Sequence, residues 1–388
     1  MRIVALLLPL YRLLGPALAE PIPIVHDGQE RLLRGDSAGG EGVSIGLFSS
    51  LERMSRLVDI SYCVGMSGVS RPFNCISRCK DFPSLTLVTT WNTGVLMGDS
   101  CGYIAVDHGV ARPGMASQGE LRGEDDGEKA IIVAFRGTYS LSNTVVDLSS
   151  VPQEYVPYPS PDEPKHKCTN CTVHMGFLSS WRNARKKVLP VLETLREEYP
   201  GYPILLVGHS LGGAVAALAA LELKASLQWD DIVVTTFGEP RIGNEGLARF
   251  INDVFELDAD ADAHPEERTY RRVTHVDDPV PLLPLSEWGF RPHAGEIFIA
   301  KSGLPPEPED LTLCVGNDDA RCLDGEDADD KDGGWWARLR VPGRFRVWEL
   351  LFAHRDYFWR LGLCVPGGDP HDWGRERYQL GDSKSDEL

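Results

Sequence analysis

Tyr202-Pro203-Ile204-Leu205-Leu206-Val207-Gly208-His209-Ser210-Leu211-Gly212-Gly213-Ala214-Val215-Ala216-Ala217-Leu218 is the stretch that decides the fold. A short apolar run enters a Gly-x-Ser-x-Gly pentapeptide and leaves as an alanine-rich segment, the pattern of a buried strand, a sharp turn and a helix. Such an elbow lifts a serine hydroxyl clear of the sheet edge and turns neighbouring backbone N–H groups toward whatever the serine attacks. The chemistry implied is that of a serine hydrolase.

The pentapeptide alone carries little weight, because the chain contains it four times. Gly35 to Gly39 and Gly42 to Gly46 lie in a small polar segment with no long apolar run before them and read as flexible linker. Gly98 to Gly102 falls between the strand-like runs Leu85 to Val88 and Tyr103 to Val106 and reads as a hairpin connection. Only Ser210 has a strand before it and a helix after it.

Around the elbow, Lys129 to Phe135 is expected as a central strand and Phe177 to Tyr199 as an amphipathic helix. Ile232 to Phe237 follows as a strand, Gly246 to Val254 as a helix and Tyr270 to Val276 as a strand. This alternation argues for an α/β fold, α/β-hydrolase-like, with a mostly parallel central sheet, helices on both faces and ligands beyond the carboxyl ends of the strands.

A nucleophilic serine needs a base, and the base needs an acid to orient it. Asp277 and Asp278 both follow the strand ending at Val276 and precede the rigid Pro279-Val280-Pro281, and position alone leaves the two open. Three histidines lie beyond them. His371 follows Pro366-Gly367-Gly368-Asp369-Pro370 near a polar terminus and is expected to be mobile; His354 stands between Leu350-Leu351-Phe352 and Tyr357-Phe358-Trp359, where packing can hold a ring still; His293 competes with it. Thr138 ends the central strand where an oxyanion donor could be presented, with the N–H of Leu211, next to the nucleophile, as its partner.

With 388 residues, 42% of them apolar, one catalytic domain is the expectation. Met1 to Ala19 has the early arginine, apolar run and Ala17-Leu18-Ala19 of a secretory signal, and Glu20 to Ile45 reads as a pro-segment or disordered linker. Nine cysteines behind such a leader imply disulfides, and spacing suggests the local bridges Cys75 to Cys79, Cys168 to Cys171 and Cys314 to Cys322. Neither a metal nor a cofactor is expected, because Cys168-x-x-Cys171 lacks a second such pair and no histidines sit at ligand spacing. A net charge of -18 disfavours nucleic acid and anionic lipid as partners. The acidic runs Glu256 to Glu267, Glu307 to Asp310 and Asp318 to Asp332 read as solvated loops.

These residues resemble the secreted fungal triacylglycerol lipases of the class 3 family, the Rhizomucor and Thermomyces type. The likeness covers Ile60 to Val365 and rests on Ala134-Phe135-Arg136-Gly137-Thr138, Val173-His174-Met175-Gly176-Phe177, the GHSLGG elbow and Gly238-Glu239-Pro240-Arg241-Ile242-Gly243-Asn244. It rests also on Asp278-Pro279-Val280-Pro281 with Leu283-Pro284, on Pro292-His293-Ala294-Gly295-Glu296, and on His354 followed by Tyr357-Phe358. The resemblance implies Ser210 as nucleophile, Asp278 as acid, His354 as base, and Thr138 with Leu211 as oxyanion hole, His293 being structural. It also implies a bridge from Cys63 to Cys364, leaving Cys101 over, and a lid at Tyr139 to Leu148 with Leu141, Val145, Val146 and Leu148 shielding the site. Thr144 stands where typical members carry a tryptophan, a departure that argues against strong interfacial activation.

The expected organisation is a signal peptide at 1–19, a pro-segment or linker at 20–45, a catalytic domain at 46–365 and a polar tail at 366–388. The expected activity is carboxylic-ester hydrolysis, with triacylglycerol as substrate and a transient lipid–water interface as partner. A feruloyl-type esterase or phospholipase on the same scaffold is the alternative, and a catalytically dead lipid-binding protein the rival from another class. The chain is expected to be secreted, although Ser385-Asp386-Glu387-Leu388 resembles a retention signal of the endoplasmic reticulum lumen. Asn170-Cys171-Thr172 fits a glycosylation acceptor.

Overall fold

Every residue of Ala130–Phe135 (β3) is buried, and their parity sorts them onto two faces. Ile131, Val133 and Phe135 join one apolar cluster, while Ala130, Ile132 and Ala134 join another. Side chains on a strand alternate between faces, so a strand apolar at every position belongs inside a sheet covered on both sides. The computed structural model describes residues 42–94, 99–109, 129–138, 155–157, 168–257, 265–323, 325 and 353–373, all within one compact unit spanning Glu41–Leu388. The leader, the Tyr139 to Leu148 segment and the C-terminal tetrapeptide lie outside the described residues.

β3 stands in an eight-stranded sheet with β1 (Leu85–Asn92), β2 (Cys101–Asp107), β6 (Ile204–His209), β7 (Ile232–Phe237), β9 (Tyr270–His275), β11 (Glu296–Ile299) and β12 (Leu311–Leu313). Their order is β1-β2-β3-β6-β7-β9-β11-β12. β3, β6, β7, β9 and β11 run parallel, and antiparallel pairing of β1 with β2, β2 with β3, and β11 with β12 finishes the two edges. Four shorter strands, β4 (Tyr155–Pro157), β5 (Thr172–His174), β8 (Gly243–Asn244) and β10 (Phe290–Arg291), form a second sheet in the order β10-β8-β5-β4.

One face of the main sheet is covered by α2 (Met175–Glu198), α3 (Leu211–Leu221) and α4 (Glu245–Phe255), whose apolar residues share a cluster with Ile104, Ile131, Val133, Ile204, Leu206 and Val234. α3 is buried along its whole length, which is why its sequence is small and apolar on every side rather than amphipathic. The other face is covered by α1 (Ile45–Ser61) and by Tyr357 to Leu361.

Helix α1 corrects the reading of Gly42 to Gly46 as linker, and with it the 20–45 boundary. Val43 is buried and its N–H reaches the Pro308 carbonyl (3.2 Å), while Ser44 Oγ accepts from the Leu47 N–H (3.1 Å) as the N-cap. The polar, glycine-rich look of this stretch is that of a helix start, not of a spacer. The tail boundary is corrected likewise. Asp369 and Asp372 are buried: Asp369 accepts from the Arg360 N–H (2.7 Å), and Asp372 pairs with Arg78 and lies 3.8 Å from Arg56. Residues 366–373 therefore pack on the domain, and the backbone of His371 lies in a 3-10 turn, Pro370–Asp372.

Four cysteine pairs are bonded: Cys63–Cys364, Cys75–Cys79, Cys168–Cys171 and Cys314–Cys322. Cys101 is free and buried, its thiol directed at the Val64 carbonyl (3.5 Å) and pushed up in pKa by burial.

Candidate active site

At the carboxyl end of β6 the chain turns at Ser210 with φ 58° and ψ -132°, a left-handed conformation that residues with a side chain rarely adopt. The turn is tight because glycines let the backbones touch. A Cβ on Gly208 would stand 2.7 Å from Gly213 N, and one on Gly212 would stand 2.8 Å from the Arg136 carbonyl. The start of α3 is thereby pressed against the end of β3. Leu211, as the first residue of α3, has no intrahelical acceptor for its N–H.

Past the end of β3, Arg136 Nε donates to the Gly137 carbonyl (3.1 Å) and its Nη1 to the Val64 carbonyl (3.0 Å). A Cβ on Gly137 would sit 3.0 Å from Ser210 Cβ, so the residue after it, Thr138, stands beside the elbow.

Asp278 and Asp277 part company in the turn after β9. The Asp278 N–H returns to the His275 carbonyl (2.9 Å) and its carboxylate is buried, whereas Asp277 is exposed. His354 Nδ1 lies 2.9 Å from both Asp278 oxygens. Oδ1 also accepts from the Val280 N–H (2.9 Å), and Oδ2 from the Tyr357 hydroxyl (2.5 Å). Tyr357 keeps its proton because burial, and then the Asp278 charge, push its pKa well above the usual 10. Gly238, at φ 57°, gives these groups room: a Cβ there would lie 2.8 Å from Asp278 Oδ2 and 2.8 Å from His354 Cε1.

His209 was legible only as a letter of the elbow motif. Its Nε2 donates to the His354 carbonyl (2.7 Å), which leaves Nδ1 to accept from the Tyr62 hydroxyl (2.5 Å). Its ring stacks on that of His354, with centroids 4.6 Å apart. Burial, followed by the neighbouring His354, holds His209 well below its usual pKa, so it serves as a neutral strut. Tyr62 is pushed up to about 12, chiefly by burial. Tyr62, His209 and Tyr357 brace the imidazole and the acid, and nothing in their local sequence announces it.

Ser210 Oγ, His354 Nε2 and Thr138 Oγ1 are buried atoms with no hydrogen-bond partner. Buried polar atoms are usually paired, and these three, at the carboxyl end of the sheet, are groups that a further molecule could satisfy. His293 is committed elsewhere, to the Ala294 carbonyl (2.7 Å) and to Glu239 Oε1 (2.9 Å). Among the described residues Glu296, Cys314 and Cys322 come within 4.8 Å of one another, but the two sulfurs are bonded together and Glu296 accepts from Thr274 (2.5 Å). The lid residues Leu141, Val145, Val146 and Leu148 lie outside the described residues.

Residues 132–288 match the family described as lipase (class 3). The chain is 60% identical over 366 residues to a secreted mono- and diacylglycerol lipase 2 of Gibberella zeae, covering 87% of each chain. It is 58% identical to lipase A of Sodiomyces alcalophilus, covering 90% of this chain and 89% of that one. Among solved structures, the Lip2 lipase of Yarrowia lipolytica superposes with a TM-score of 0.66 at 27% identity, over 84% of this chain and 98% of that one. A triacylglycerol lipase whose catalytic centre is described as a serine protease triad matches with a TM-score of 0.58 at 25% identity, over 84% of this chain and 100% of that one.

Proposed function

The chain belongs to the class 3 lipase family and is a carboxylic-ester hydrolase, and we propose that it cleaves acylglycerols through an acyl intermediate on Ser210. The supporting observation is the set of three buried, unpartnered atoms, Ser210 Oγ, His354 Nε2 and Thr138 Oγ1. In this reading His354 Nε2 takes the hydroxyl proton as Oγ attacks the ester carbonyl. Asp278, on the far side of the ring, fixes the tautomer with the proton on Nδ1 and stabilises the imidazolium. Thr138 and the Leu211 N–H receive the oxyanion; each such donor contributes roughly 3 kcal/mol to the transition state. Collapse expels the alcohol, protonated by His354, and water activated by the same imidazole releases the acid. Hydrogen bonds of this kind often close only around substrate, which fits an unpaired serine and base.

Mono- and diacylglycerols are the proposed preferred substrates, on the strength of the name carried by the 60% identical Gibberella protein, with triacylglycerol cleaved more slowly. Secretion to the cell exterior is proposed on the strength of the name carried by the 60% identical Gibberella protein, and the four disulfides fit any oxidising compartment of the secretory route. Within the domain boundaries, we propose catalysis by a single body running from Gly42 through Trp373.

Ser210→Ala tests the mechanism. Activity on a diacylglycerol emulsion should fall by roughly 10⁴-fold or more, and labelling by a fluorophosphonate should vanish, with the circular dichroism unchanged. Retained turnover would refute the nucleophile.

A further inference from the structure

The chain contains a single Asn-x-Ser/Thr sequence, Asn170-Cys171-Thr172, which the hydrolytic site does not use. It runs into β5, whose first residue is Thr172, and Asn170 is exposed in a left-handed backbone conformation with φ 55°. Cys171, its middle residue, is bonded to Cys168.

From the other side the tripeptide is held in a clasp. Asn244 Nδ2 donates to the Asn170 carbonyl (2.7 Å), and Asn244 Oδ1 accepts from the Thr172 N–H (3.0 Å) and the Leu247 N–H (3.1 Å). One side chain thus caps α4 and pins both ends of the tripeptide. Gly246 completes the clasp, since a Cβ there would lie 2.8 Å from the Thr169 carbonyl and 2.9 Å from that of Asn170.

We propose that Asn170 is an N-glycosylation acceptor, modified while the chain is being made, before its clasp and its neighbouring disulfide close. The proposal rests on the secretory reading above. The transferring enzyme takes its acceptor as an accessible, extended tripeptide and recognises the threonine hydroxyl, a form that the folded clasp excludes. In the transfer the sugar C1–O bond to a polyprenyl pyrophosphate carrier breaks and a C1–N bond to the Asn170 amide forms. The amide proton passes to the enzyme, and the carrier pyrophosphate leaves.

Sequence distance sets the order of events. Asn244 lies 74 residues after Asn170, so at 5 to 20 residues per second the clasp is delayed by about 4 to 15 s after the acceptor is made. Cys168 and Cys171 are only three apart, and their bridge can form as soon as both reach an oxidising lumen, on a scale of seconds upward. Glycosyl transfer and bridge closure therefore compete, and the secreted enzyme is a mixture of glycosylated and bare molecules.

The test is secretion of the full chain, with its own leader, from a yeast host, followed by intact mass before and after endoglycosidase H. The mass of the N-terminal peptide reports leader removal independently. Wild type should give two species that merge on digestion. Asn170→Asp, which tolerates the left-handed backbone, and Thr172→Ala should each lose the heavier species. Cys168→Ser should raise the glycosylated fraction. Bare protein from both wild type and Cys168→Ser, with the leader removed, would overturn the acceptor assignment while leaving the secretory reading intact. A glycosylated wild type whose fraction Cys168→Ser does not raise would overturn the competition. Bare protein retained in the cells with its leader uncut would overturn the secretory reading and the proposal together.

Discussion

One of the groups that fix His354 is a single phenol, acting through Asp278. Tyr357 donates to Asp278 Oδ2 (2.5 Å), and a hydrogen bond to a charged group is worth about 1.5 to 3 kcal/mol. Tyr357→Phe keeps the ring, which meets Phe237 edge-on at 5.7 Å, and removes only the donor. The expected result is a roughly 10- to 100-fold fall in kcat with little change in KM, read from initial rates on a soluble short-chain ester. At this scale the sequence was informative where a motif has a fixed geometry and mute where it has not. Ser210 could be placed because strand, elbow and helix are contiguous. Asp278 could not be separated from Asp277 on the residues alone, because a turn hydrogen bond to His275 decides which carboxylate is buried. The Tyr62–His209 contact joins residues 147 apart and leaves no local trace.

Elements show the same division. β3 and β6 were legible as apolar runs, β7 and β9 by their β-branched and aromatic residues between turn signals, and α2 by its period, because burial writes itself into the letters. α1 was half hidden, its N-cap Ser44 resembling linker although Leu47, Phe48, Leu51 and Met54 follow at helical spacing. α2 carries a pH liability at its start. His174 is its N-cap, with Nδ1 accepting from the Phe177 N–H (3.3 Å) and the ring stacked on Phe177 at 4.0 Å. A nitrogen that accepts cannot be protonated, and burial holds this histidine down at about 4 against an ordinary 6.5. The unfolded chain therefore binds a proton before the folded one does as pH falls. Stability contributed by the neutral ring is present above pH 6.5 and is lost between 6.5 and 4, amounting to roughly 3 kcal/mol. His174→Asn keeps a cap that does not titrate, so its denaturant midpoint should fall less steeply over that interval than that of the wild type.

On the scale of the whole molecule, His354 belongs to a segment tied to the domain further along by a disulfide and by a buried tryptophan. Cys364 is bonded to Cys63, 301 residues earlier, next to the Tyr62 that supports His209. The guanidinium groups of Arg56 and Arg78 both lie over the Trp359 ring, at 4.8 and 4.4 Å from its centre, and Arg78 pairs with Asp59 (3.1 Å). The ties of Cys364 and Trp359 could not be read locally, because they join the two ends of the chain; the polar look of residues 366–373 concealed partners contributed by α1 and its surroundings. Replacing Cys63 and Cys364 together by serine should lower the unfolding free energy by up to about 5 kcal/mol, since the bridge closes so long a loop, and guanidinium titration measures it. Activity should decline at temperatures where the fold itself still holds.

The backbone twist at Ser210 has a further consequence. An ordinary side chain held in that region costs about 1 to 3 kcal/mol, and glycine escapes most of it. Ser210→Gly should consequently unfold at a higher denaturant concentration than the wild type while hydrolysing nothing. Durability and the proposed turnover draw on the same peptide unit, so selection for shelf life alone would favour losing the Ser210 side chain.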